Sequence, residues 1–171
     1  MSIIGTRKSS IEEEISALKR RSGSGSASTS DNFRAICTRL FSLCTHALLT
    51  ATFAYMDGRV DPPSSLSRMP VAALAQEAGT NELWIIPGPL ACVILTPKPD
   101  HLYIGKLAVA DAARGRGLAR RLLSLAETRA KALGLSRLQL QTRVELTENH
   151  ATFAALGFRE TGRSSHPGYD R

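Results

Sequence analysis

The chain has 171 residues, 43% of them hydrophobic, which suits one domain of ordinary size with its own core. Lys and Arg number 22 against 15 Asp and Glu, a net charge of +7 that suits acidic small molecules, while 5% aromatic residues make a base-stacking nucleic-acid platform unexpected. Cys37, Cys44 and Cys92 have no metal-ligand spacing and read as reduced core thiols of a cytoplasmic protein.

The opening MSIIGTRKSSIEEE lacks the apolar run of a secretory signal. Residues 10–21 suit a short helix, acidic at its start and basic at its end. SGSGSASTS, residues 22–30, reads as a flexible linker. Residues 1–30 are therefore expected to be irregular, with only SIIG (2–5) able to form a strand, and the domain is expected at 31–171. Asp31 can cap a helix in which Phe33, Ile36, Cys37, Leu40, Phe41, Cys44, Leu48 and Leu49 share one face, and Asp57-Gly58 ends it. Residues 40–56 carry no Asp, Glu, Lys or Arg, but fall short of the roughly 20 residues of a membrane span. They predict a buried helix, followed by a second helix over 70–77 that stops at Ala78-Gly79.

LWII (83–86), LACVILT (90–96) and LYIGKLAVA (102–110), joined by short turns, predict an antiparallel meander with a bulge near Gly105. Residues 115–133 predict a helix with Leu118, Leu122, Leu125 and Ala126 on one face and Gly134 as its stop. RLQLQTRV (137–144) alternates as a strand, 148–156 suit a short helix closed by Gly157, and 158–163 start another strand. This order predicts an α/β (α+β) domain whose mixed, mostly antiparallel central sheet is flanked by helices.

The segment RGRGLA, residues 114–119, opens the helix that follows a strand. A helix N-terminus offers unpaired N–H groups and partial positive charge to an anion. Gly115 and Gly117 leave the backbone bare, and Arg114, Arg116, Arg120 and Arg121 add positive charge. A P-loop would need Lys-Ser or Lys-Thr where Leu118-Ala119 stands. A dinucleotide fingerprint would need a small residue at Arg120 and an acidic one near Arg137. The pattern left is R-x-x-G-x-A, carried by Arg114, Gly117 and Ala119.

That pattern resembles the acetyl-coenzyme A pyrophosphate loop of the GNAT acetyltransferases. KLAV (106–109) resembles the family's strand that pairs with the pantetheine arm, and ENHATFAALGF (148–158) resembles its later helix and Leu-Gly-Phe closure. The likeness covers about residues 54–171. It implies acetyl transfer from acetyl-coenzyme A to a small-molecule or peptide amine, with no membrane or nucleic-acid partner and a homodimer left open. It implies cofactor contacts from Leu107, Ala108, Val109, Arg114, Gly115, Arg116, Gly117, Leu118, Ala119, Arg120, Asn149 and Phe153. Asn149 could instead cap the helix that it begins.

An amine of pKa near 10.4 is only about one part in a thousand neutral at pH 7, so a base or water relay matters more than an acid. Glu145 and Tyr103 are the candidates carried forward, with Glu82, His101, His166 and Tyr169 as further polar groups. Many family members have a tyrosine acid four residues before the Gly of Leu-Gly-Phe, where this chain has Phe153. That departure, with the irregular ends of the chain, keeps a second class open: a non-catalytic acyl-coenzyme A-binding or scaffold protein. The family also ends in a strand beyond the one starting at Phe158, and no such strand is visible here. The sheet is thus expected to lack a terminal strand and to fray near 158–163.

Overall fold

The computed structural model describes residues 1–8, 39–64, 66 and 69–165. The expected helix at 10–21, the linker, the Asp31 cap, Cys37, His166 and Tyr169 lie outside the described residues. The elements are β1 (Ser2–Lys8), α1 (Arg39–Phe53), α2 (Val71–Thr80), β2 (Glu82–Ile86), β3 (Ala91–Pro97), β4 (Leu102–Val109), α3 (Leu118–Ala132), β5 (Arg137–Arg143), α4 (Thr147–Ala155) and β6 (Arg159–Ser164). One six-stranded sheet has the order β2-β3-β4-β5-β1-β6. Every neighbouring pair is antiparallel except β4 and β5.

Successive residues of a strand face opposite sides, and both sides of this sheet are covered. Trp84, Ile86, Val93, Leu95, Leu102, Ile104, Leu138 and Leu140 face one core with Leu122, Leu123, Ala126 and Ala130 of α3. Leu83, Ile85, Cys92, Ile94 and Ala108 face the other, against Leu48 and Leu49 of α1 and Leu74 of α2. This explains why LWII and ACVIL read as nearly unbroken apolar runs.

β1 departs most from expectation. Residues 2–8 form an inner strand, paired along its length with β5 on one side and with β6 on the other. The side of β6 that faces β1 is therefore covered, while β6 ends the sheet among the described strands and its outer side has no strand partner, as expected for a sheet without a further terminal strand. Ile3 is buried, and Leu140 and Phe158 lie over Gly5 at 3.4 and 3.6 Å from where a Cβ would stand. Arg7 reaches Glu127 of α3 at 2.8 Å and ties the strand to the helix layer.

Two helices also differ from their sequence reading. α2 continues through Gly79 to Thr80, because Thr80 Oγ1 and Asn81 Nδ2 donate to the Glu77 carbonyl at 3.1 and 2.9 Å and cap the end in place of the glycine. In α1, Thr45, Leu48 and Leu49 point inward, so Cys44, one residue and about 100° around the helix from Thr45, is exposed and not a core thiol. Among the described residues no helix is long and apolar enough to cross a membrane.

Candidate active site

β4 and β5 pair only from Leu102↔Leu138 to Ile104↔Leu140 and then diverge. On its other side β4 stays paired to β3, with a register shift between Cys92 and Ile94 that places the bulge at Lys106-Leu107, just past Gly105. Lys106 holds φ 48, a left-handed conformation uncommon outside glycine. The edge of β4 from Gly105 to Val109 thus faces a gap, not a strand. A cleft of about 1260 Å³ fills this gap, and Gly105, Lys106, Leu107 and Val109 line it. Ala108 turns its side chain into the core beneath α1. It can offer the gap only backbone.

The cleft runs on to the start of α3. Gly115 and Gly117 have φ 74 and 75, with nothing within 4 Å of where a Cβ would stand. Glycine is therefore demanded by the backbone turn, and the space above it is open. The first helical bond is Arg121 N–H to Gly117 O at 3.0 Å, which leaves the N–H groups of Leu118, Ala119 and Arg120 without intrahelical acceptors. Arg114, Gly115, Gly117, Leu118, Ala119 and Arg120 all line the cleft, whereas Arg116 is exposed outside it.

Tyr103 lies in the cleft, half-buried. Burial, and then the negative charge of Glu77, push its phenol above the usual tyrosine range, so it keeps its proton at neutral pH. Glu77 also lines the cleft and takes the Lys106 ammonium on both carboxylate oxygens at 2.6 Å. Behind them, burial pushes the Cys92 thiol up to about 12 against a smaller opposing pull from Lys106. Iodoacetamide near pH 8 is accordingly expected to alkylate exposed Cys44 in the native protein and spare Cys92, as mapped by peptide mass. Equal labelling of both would contradict the burial of β3.

The opposite wall comes from α1, β5 and α4. Asn149 Nδ2 donates to the Tyr55 hydroxyl at 2.9 Å and approaches Thr142 Oγ1 at 3.5 Å. It does not cap α4, whose start has no side-chain cap. Tyr55, missed in the sequence reading, lines the cleft, and no acceptor among the described residues takes its hydroxyl proton. Phe153 also lines the cleft and packs edge-on against Phe158 at 6.1 Å. Glu145 is exposed on the turn after β5 and does not line the cleft, because Arg143 and Leu146 occupy the inward positions on either side of it. Glu82 is engaged elsewhere, holding Arg129 at 2.6 and 2.8 Å and accepting from Trp84 Nε1 at 3.0 Å. His101 pairs with Asp100 away from the cleft.

The sequence profile of the acetyltransferase (GNAT) family matches residues 45–158. The chain belongs to the GNAT family of acetyltransferases. No curated protein sequence matches it. Similar solved structures include a GNAT-family protein from Novosphingobium aromaticivorans DSM 12444, 17% identical, TM-score 0.56, covering 94% of this chain and 61% of that one. A GNAT-family acetyltransferase from Colwellia psychrerythraea is 15% identical, TM-score 0.59, covering 93% of this chain and 52% of that one. A transcriptional regulator from Bacillus halodurans C-125 is 20% identical, TM-score 0.58, covering 78% of this chain and 97% of that one. The chain thus spans less than two thirds of the length of the first two, and at these identities the likeness is one of fold.

GNAT enzymes use acetyl-coenzyme A as acetyl donor and small-molecule or peptide amines as acceptors. The residues present fit that donor. An open β-strand edge suits an amide-bearing arm, and bare N–H groups beside Arg114 and Arg120 suit a pyrophosphate.

Proposed function

We propose that the chain is an N-acetyltransferase that moves the acetyl group of acetyl-coenzyme A to an amine. The observation that carries this reading is a single cleft joining the unpaired edge of β4 to the glycine-lined start of α3. Coenzyme A, when bound, supplies the acetyl group as an activated thioester. The N–H groups of Leu118, Ala119 and Arg120, with Arg114 and Arg120, hold its pyrophosphate. The backbone of Leu107, Ala108 and Val109 pairs with its arm and offers N–H donors to a carbonyl oxygen that gains negative charge. Asn149 and Phe153 form the wall across from that edge.

Phe153 cannot donate a proton. In this reading Tyr55 Oη does so, oriented by the amide of Asn149 one helical turn before Phe153. Tyr103 stands on the opposite wall as a second donor. The acceptor amine loses its proton to water, because each carboxylate of the cleft among the described residues has a cationic partner: Glu77 holds Lys106, Glu148 holds Arg59 and Asp111 holds Arg114. The scaffold alternative rests on Phe153 and on the irregular ends of the chain; in the present reading Tyr55 supplies the donor that Phe153 lacks.

Calorimetry with acetyl-coenzyme A, followed by thiol release over a panel of amines, tests the reading. Binding with turnover is expected. Binding without turnover on any amine would support the scaffold, and no binding would remove both. Tyr55→Phe is expected to lower kcat by about tenfold or more while leaving coenzyme A affinity unchanged. An unchanged kcat across the pH range would take Tyr55 out of the chemistry.

A further inference from the structure

Arg143 closes β5, lines the cleft and is 8% exposed. Its Nη2 donates to the Pro62 carbonyl at 2.6 Å, while Nη1 is buried with no partner among the described residues. None of the ion pairs among the described residues includes it. A guanidinium keeps its charge at any physiological pH and offers five N–H donors in a planar fork that matches a carboxylate. Burying that charge without an anion is costly, and a neutral donor could hold Pro62 at lower cost. The neighbouring cleft cations are matched: Lys106 has Glu77, Arg59 has Glu148 and Arg114 has Asp111. Arg120, also in the cleft and in none of these pairs, is exposed at the first turn of α3, so Arg143 is the one buried cleft cation among the described residues without an anion.

Its position indicates which ligand supplies the missing charge. Arg143 reaches the loop between α1 and α2, on the side of the sheet opposite α3, whose first turn suits the pyrophosphate. Two buried serines, Ser2 and Ser64, line the cleft beside it, Ser2 as its partner in the β1–β5 register. We propose that Arg143 binds a carboxylate of the acetyl acceptor, so that the acceptor carries both an amine and a carboxylate, as an amino acid does. This inference rests on the acetyl-transfer reading above and adds the substrate class.

The test uses the full chain, the common L-amino acids and their primary amides as acceptors, and the N-acetyl amino acids as ligands in calorimetry. For the best acceptor, the KM of the amino acid is expected to be at least about tenfold below that of its amide, the loss expected for one charge-assisted bidentate contact. Arg143→Gln should collapse that ratio, and Arg143→Lys should restore part of it. N-acetyl amino acids should bind the native chain and bind Arg143→Gln at least about tenfold more weakly. Equal treatment of acids and amides by the native chain would overturn the proposal, and this comparison needs no variant. Equal losses on acids and amides in Arg143→Gln would also overturn it, leaving Arg143 a structural tie to Pro62. If no acceptor turns over, absence of binding by every N-acetyl amino acid overturns it. Failure of coenzyme A itself to bind would instead overturn the acetyl-transfer reading.

Discussion

Removal of residues 1–8 is expected to abolish cooperative folding or to lower stability by about 5 kcal/mol or more, a large share of the 5–15 kcal/mol typical of a domain. Among the described strands β1 is the only neighbour of β6 and, beside β4, one of the two neighbours of β5. Its loss leaves two rows of backbone N–H and C=O groups unpaired, each net bond contributing about 1 kcal/mol. It also uncovers the apolar surface under Ile3, about 1.5–3 kcal/mol for a fully buried side chain of this kind. Urea melts of the full and shortened chains, followed by circular dichroism, provide the measurement. Hydrogen exchange adds an independent one: amides of residues 3–7 should be protected as long as those of residues 138–142. A shortened chain that melts within about 1 kcal/mol of the full one would mean that β1 adds little to the sheet, since inner strands do not come away so cheaply.

Gly117→Asp is expected to weaken coenzyme A binding at least tenfold, about 1.4 kcal/mol in binding free energy. Gly117 has φ 75 at the N-cap of α3, and open space lies where a Cβ would stand. The aspartate therefore fits, at a backbone cost of about 1–2 kcal/mol for leaving glycine in the left-handed region. Its carboxylate sits at the positive end of the helix and can accept from the N–H groups of the first turn, which offsets part of that cost. The same bonds occupy the donors that a pyrophosphate would use, and the added charge repels it. Gly117→Ala separates these effects, since it carries the backbone strain and not the anion. Calorimetry with coenzyme A should show a clear loss for Asp and a smaller one for Ala, with melting temperatures close to each other. Equal affinities for the native chain and a folded Gly117→Asp would move the anion site elsewhere.

Short-range signals account for what the sequence by itself determined. The turn at RGRGLA, the apolar strand runs within residues 83–109, and the stops at Gly134 and Gly157 are all set by neighbours within a few positions, and each stands where it was read. The structure also brings together ten of the twelve residues named for the cofactor, with Ala108 and Arg116 turned away from the cleft. Those residues lie along one continuous run of strand, loop and helix, plus one later helix.

Only the tertiary structure decided the rest. β1 takes its place between β5 and β6 through partners more than a hundred positions away, and a short SIIG stretch carries no local sign of that pairing. Tyr55 and Asn149 are 94 residues apart, Lys106 and Glu77 are 29 apart, and Arg143 meets Pro62 across 81. Glu145 and Arg143 are two residues apart, yet one faces solvent and the other the cleft, because the chain leaves the strand between them. Local propensity sets which backbone a segment prefers. Which side chains share a buried space is settled by packing of distant segments, where burial and charge pairing act on groups that the sequence keeps apart.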